Sequence, residues 1–139
     1  MARVDFYVLR EAGQAARDVF ACKLAEKAYR LDNTVHIHVD DASAMRDLAE
    51  LLWTFRDGSF VPHHCVGGEA LDSPVTIGCD SSGGTRGLLI NLSSELPAVA
   101  ADFERVAEVV SADDVSKQIS RERYSEYREQ GHSLETHKL

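Results

Sequence analysis

Arg3-Val-Asp-Phe-Tyr-Val-Leu9 is the stretch on which the fold is read. Val4 to Leu9 reads as a strand that is apolar on both faces, as in a buried parallel sheet. Gly13 follows, and Gln14 to Arg30 has helical spacing. Its inward stripe is Ala16, Val19, Phe20, Leu24 and Ala28, with either Cys22 or the stem of Lys23. Thr34-Val-His-Ile-His-Val39 is a second strand, ended by Asp40-Asp41. A second helix runs from about Ser43 to Thr54, with Met45, Leu48, Ala49 and Leu52 facing in. Strand, helix, strand, helix in that order implies right-handed crossovers and a largely parallel sheet, so the class is α/β.

Further along, 67–74 is a loop. Val75 to Cys79 and Gly87 to Leu92 are short strands, and Asp80-Ser-Ser-Gly-Gly-Thr-Arg86 between them reads as a hairpin loop. Ser94 to Asp102 has the look of a short helix, with Pro97 near its first turn. Arg105 to Val110 is a last apolar strand. Ser111-Ala-Asp-Asp114 resembles a capping box with aspartate at its third helical position, and should start the final helix. Gly131 stops that helix, leaving 132–139 as a polar C-terminal tail. There is no repeat, linker or low-complexity segment, so 1–139 is expected to be one domain.

The final helix contains Lys117-Gln-Ile-Ser-Arg-Glu-Arg-Tyr-Ser-Glu-Tyr-Arg128. Lys117, Arg121, Tyr124 and Arg128 share one face, and Val115, Ile119 and Tyr127 form a second stripe expected to pack. No carboxylate lies on the cationic face. Like charges at i, i+4 cost a few tenths of a kcal/mol. In a chain with net charge −8 such a patch is either a solvated surface or a site for an anionic partner, and on pattern alone the solvated surface is the better reading. Trp53, with Phe55, Phe60, Val61 and Pro62 close behind it, poses a similar choice: covered by its own domain, or a docking surface. The pattern alone favours the core for Trp53.

The composition limits the possible functions. Acidic residues outnumber basic ones 23 to 15, which disfavours direct nucleic-acid binding. Cys22, Cys65 and Cys79 are odd in number and irregular in spacing, so no disulfide framework is expected. The chain passes from Met1 straight into a strand, without the apolar core of a signal peptide, and it has no run of membrane-span length. The expectation is a cytoplasmic protein.

Motifs for catalysis are sparse. His63-His64-Cys65 and the pair His36 and His38 are the tempting metal ligands. Adjacent residues of an extended chain point apart, however, and no C-x-x-C or H-E-x-x-H completes a site. The glycines of 80–86 open no helix, and no Gly-Lys-Ser/Thr follows, which disfavours a phosphate cradle. Asp40 and Asp41 sit where parallel strands present ligand-binding residues. With His36 or His38 they could serve a small metal-dependent hydrolase, although Asp41 is better read as a helix N-cap. A third possibility is single-stranded nucleic acid, with bases stacking on Tyr124 among the cations. No metal, cofactor or catalytic residue is assigned.

Two stretches together resemble the chi subunit family of bacterial DNA polymerase III. One is Leu48-Ala-Glu-Leu-Leu-Trp53 with Ser59-Phe-Val-Pro-His63. The other is Lys117-Gln, Arg121-Glu-Arg-Tyr124, Tyr127-Arg128, Gly131 and Leu134. Tyr7-Val-Leu9, Leu88-Leu-Ile-Asn-Leu92 and the strand to Val110 also follow the family pattern, so the likeness covers nearly the whole chain.

The resemblance implies a three-layer, Rossmann-like α/β domain with a mostly parallel, twisted sheet, helices on both faces and no catalytic activity of its own. It implies an accessory of the clamp loader with two partners. The psi subunit would dock on Trp53, Phe60, Val61 and Pro62. The acidic, phenylalanine-ended tail of single-stranded DNA-binding protein would dock on Lys117, Arg121, Tyr124 and Arg128, with Val110 and Leu134 as apolar walls. The chain departs from the family pattern at Ser125, where some relatives carry a cation, and at His132, which replaces an apolar residue.

Overall fold

The computed structural model describes residues 3–55, 74–78, 87–93 and 103–139, and the backbone of 63–65. Its elements in order are β1 (Arg3–Val8), α1 (Gln14–Arg30), β2 (Val35–His38), α2 (Ala42–Thr54), β3 (His63–Cys65), β4 (Val75–Gly78), β5 (Leu88–Asn91), β6 (Arg105–Val110), α3 (Asp114–Glu129) and β7 (Ser133–Lys138). The expected helix over 94–102 and the loops at 67–73 and 80–86 lie outside the described residues.

The strands form one sheet in the order β3-β4-β2-β5-β6-β1-β7, and every pairing is parallel. β4 and β5 both pair with β2, which lies between them. The chain joining them is therefore not the hairpin expected from its glycines. The physical reason lies in the strands: Val75–Gly78 and Leu88–Asn91 are buried at every position, as interior strands of a parallel sheet must be.

Strand alternation sends side chains to two cores. Val35, Ile37, Ile77, Ile90 and Val109 meet α1 and α2 on one face. Val4, Phe6, Leu89, Val106 and Val110 meet Tyr127 of α3 on the other. The three layers are thus α1 and α2, the sheet, and α3. The residues that α1 buries most deeply are Ala21, Cys22 and Ala25. Ala16 and Val19 are only half-buried and Lys23 is exposed. Small side chains on the inner face let α1 lie close to the sheet. The Cys22 thiol is sealed there, and burial first, then the charge of Asp18, pushes its pKa up to about 12.

Three local signals set α3. Its N-cap is Asp113 rather than Ser111: the Asp113 carboxylate accepts from Ser116 N–H at 3.1 Å, and the Ser111 hydroxyl donates to the same carboxylate. At the far end, Gly131 N–H donates to Arg128 O and His132 N–H to Tyr127 O, with Gly131 at φ +88°. That left-handed turn suits glycine and closes the helix. The chain then reverses, and residues 133–138, expected as a polar tail, form β7 instead, paired with β1 from Arg3↔Ser133 to Val8↔Lys138. Polar composition is no bar to a strand at the sheet edge, where only part of each residue is covered.

Because β7 is part of the sheet, ending the chain at His132 should lower the urea unfolding midpoint. A few lost main-chain hydrogen bonds at about 0.5–1.5 kcal/mol each amount to a loss on the order of a few kcal/mol. A midpoint equal to that of the full chain would mean that β7 adds nothing to the fold.

Candidate functional site on helix α3

Helix α3 joins β6 to β7 and packs on one face of the sheet, with Tyr124 and Tyr127 against Phe6 of β1, and its orientation is set from beneath. Glu108 points from β6 into the α3 core and is buried. Arg123 Nη1 donates to one of its oxygens at 2.7 Å; Tyr127 Oη at 2.7 Å and Asn91 Nδ2 at 2.8 Å donate to the other. Arg123 Nη2 also reaches Ser93 O at 2.7 Å, and the Ser93 hydroxyl donates to Asn91 Oδ1 at 2.6 Å. Arg123 is only 7% exposed, so this is a buried ion pair in which the second carboxylate oxygen and the second terminal guanidinium nitrogen are bonded as well. Burial, and then the charge of Glu108, raise the Tyr127 hydroxyl far above its ordinary pKa and keep it a donor.

This network rotates α3 relative to the packing expected from its apolar stripe. Tyr127 is buried as expected and Ile119 is half-buried, but Val115 is 69% exposed. Arg123, which looks like one more surface cation in the sequence, occupies the inner face. The available signal was Glu108, a lone acid inside the apolar run of β6 that needs a buried partner.

Lys117, Arg121 and Arg128 remain exposed, on the helix face they share with Tyr124. Among the described residues none of the three forms an ion pair. Tyr124 is half-buried on this flank, its ring 5.5 Å from that of Phe6, and the Arg128 guanidinium lies 6.0 Å over its face. Leu134 and Val8 are half-buried and pack against the same core as Tyr124. Val110 is buried beneath α3 and also borders a crevice on its other side. The flank thus combines three exposed cations, one of them stacked over the ring, with an aromatic side chain held in place from below.

That crevice, of about 160 Å³, opens at the carboxyl ends of the strands, where α1 leaves one face of the sheet and α3 the other. Arg17, Asp40, Ser93, Glu108 and Arg123 line it. Arg17 is committed to the scaffold, donating to Val109 O at 3.1 Å and Leu92 O at 3.4 Å. Burial lowers its pKa, and the nearby charge of Arg123 adds to the effect.

The residues of the hydrolase reading are put to separate uses. Asp41 caps α2, accepting from Ala44 N–H at 2.8 Å, while Asp40 lines the crevice. His36 lies on the α3 face of the sheet, within 2.8 Å of the Thr76 hydroxyl, whereas the helix that Asp41 caps packs on the other face. One further group, Asp5, Glu135 and His137, brings three potential metal ligands within 4.8 Å of one another. Arg3 reaches both acids, at 3.3 and 2.7 Å, and Arg105 lies 3.8 Å from Asp5. The two carboxylates are already neutralised there, and His137 bonds Asp5 at 3.0 Å, tying β7 to β1.

Trp53 occupies the last turn of α2. Leu48 and Leu52 turn inward, and Trp53, one position on, is 55% exposed. Phe60, Val61 and Pro62 lie outside the described residues. No helix among the described residues is long and apolar enough to cross a membrane.

The described residues thus form a parallel α/β sheet with an exposed basic flank on one helix and an exposed tryptophan on another. Residues 1–135 match the family described as DNA polymerase III chi subunit, HolC. The chain is 41% identical to DNA polymerase III subunit chi of Pseudomonas aeruginosa, over all of this chain and 98% of that protein. It is 34% identical to the subunit chi of Haemophilus influenzae, over 95% of this chain and 94% of that protein. For the Escherichia coli subunit chi the identity is 33%, over 98% and 97% respectively. The chain belongs to the family of DNA polymerase III chi subunits, accessory subunits of the replication machinery.

Replacing Arg123 by Ala leaves Glu108 buried without its cation and should cost about 3–5 kcal/mol of stability by urea unfolding. Lys117→Ala, on the exposed flank of the same helix, should stay within about 0.5 kcal/mol of the parent chain. Equal effects of the two substitutions would refute the assignment of inner and outer faces.

Proposed function

We propose that the chain is a non-catalytic adaptor of the DNA polymerase III holoenzyme, working in the bacterial cytoplasm at replication forks. It links the clamp loader, through the psi subunit, to the C-terminal tail of single-stranded DNA-binding protein, and so reaches DNA mainly through that protein. The observation that carries this reading is the α3 flank: Lys117, Arg121 and Arg128 exposed around a tyrosine that Phe6 supports. A peptide ending in phenylalanine needs a cation for its carboxylate and an apolar surface for its ring. Arg121 suits the carboxylate, with two parallel charge-assisted hydrogen bonds. Tyr124, with Leu134, suits the ring, while Val110, the other wall that the resemblance implies, is buried beneath the helix and supports the site from below. Lys117 and Arg128 attract the acidic residues upstream, which makes association fast and sensitive to salt.

The psi surface is proposed on Trp53, Phe60, Val61 and Pro62. Support for it comes from Trp53, an exposed aromatic of the kind that anchors protein interfaces.

Arg121→Ala should weaken a tail peptide by about 1.5–3 kcal/mol in calorimetry, the range for hydrogen bonds to charged groups. Unchanged affinity would remove the tail site from α3. In co-purification, Trp53→Ala should lose psi and keep the tail; full retention of psi would count against the second surface.

A further inference from the structure

β7 ends the sheet, and among the described residues nothing pairs with its outer side. Leu139 N–H donates to Val8 O at 3.1 Å. In a parallel ladder the inward-pointing groups recur every second residue, so Glu135, His137 and Leu139 face β1. The main-chain N–H and C=O groups of Leu134, Thr136 and Lys138 therefore point away from the sheet. The register sets these same residues beside Val4, Phe6 and Val8, whose side chains face α3. Lys138 thus extends the basic flank of Lys117, Arg121 and Arg128 onto the edge strand itself.

An unsaturated strand edge that ends in Lys138 and lies beside the exposed cations of α3, in a chain of net charge −8, is complementary to an extended acidic peptide. We propose that the acidic tail peptide binds by strand addition: its terminal phenylalanine and carboxylate sit at Tyr124 and Arg121, and its upstream residues pair with the free edge of β7, their carboxylates beside Lys138. This rests on the reading of α3 as the tail site and adds a main-chain contact that no side-chain motif records. Main-chain pairing supplies affinity that is independent of the upstream sequence, and Lys138 selects for acidic residues there.

Two measurements test it, with a synthetic aspartate-rich peptide ending in phenylalanine as the probe. In amide hydrogen exchange of the full chain, the peptide should slow the Leu134, Thr136 and Lys138 amides. Thr136→Pro removes one outward N–H and spares the inward ladder, a substitution that edge strands tolerate. It should bind the peptide at least about tenfold more weakly, the contribution of one or two hydrogen bonds, and Lys138→Glu should weaken binding as well. If exchange at the three amides is unaffected and Thr136→Pro binds like the parent while Arg121→Ala loses the peptide, strand addition is wrong and the α3 site stands. If Arg121→Ala binds normally, the α3 reading fails, and protection or exposure of the three amides still decides the edge. Should Thr136→Pro not fold, exchange on the parent chain decides alone.

Discussion

The ion pair between Glu108 and Arg123 is the constraint around which the rest of this structure is arranged. A carboxylate in the middle of β6, beneath a helix, would be intolerable without a cation. Supplying that cation from α3 fixes which side of the helix faces the sheet, and Tyr127 and Asn91 satisfy the other carboxylate oxygen. An apolar replacement of similar volume could be as stable, since desolvation offsets much of the attraction in a buried pair. Orientation is what the pair adds. Val, Ile and Leu interfaces allow a helix to roll; a guanidinium bonded to both Glu108 and Ser93 O does not.

From that orientation the basic flank follows. With Arg123 and Tyr127 turned down, Lys117, Arg121 and Arg128 remain exposed, and Tyr124 lies between the layers with its ring on Phe6. Among the described residues none of these like charges is relieved by an ion pair. Their repulsion is a small cost in stability, and it leaves their hydrogen-bonding capacity open to an anion. Arg121 and Arg123, two residues apart on one helix, are spent in opposite ways: one inside on an internal carboxylate, the other outside.

The legible and illegible parts of this fold divide by physical signal. β1, β2 and α2 were readable because apolar periodicity is strong where an element is buried, whereas α1 was readable as a helix but only in part in its inward stripe, which is built on the small residues Ala21, Cys22 and Ala25. α3 was readable as a helix because helical geometry depends on spacing alone, and Lys117, Arg121 and Arg128, which that spacing puts on one face, are exposed. Its inner face was drawn only in part: Tyr127 is buried and Ile119 half-buried as expected, but Val115 is exposed and Arg123 was missed, because an arginine facing inward looks like any surface arginine unless its partner is known, and Glu108 lies 15 positions away in sequence. The hairpin expected between β4 and β5 failed for a related reason: glycines mark a turn but not the strand that the chain steps over. β7 carries almost no apolar signal, since an edge strand with one main-chain side in the ladder needs little.

That last misreading bears most on function. As a polar tail, 133–139 would leave α3 as an isolated basic helix surface, open on its outer side. As a strand, it encloses the flank, holding Leu134 against the core shared with Tyr124 and placing a row of main-chain donors and acceptors along the rim. The strand is anchored on its far face, where His137 stacks on the Tyr7 ring at 5.0 Å and bonds Asp5, while Arg3 ties Glu135 to Asp5. These contacts lie on the opposite side of the sheet from Arg121, so holding β7 in place uses none of the cations of the flank. The alternation of a single strand thereby divides its contacts: the side chains of Glu135 and His137 attach it on one face of the sheet, and those of Leu134, Thr136 and Lys138 lie on the face that carries α3.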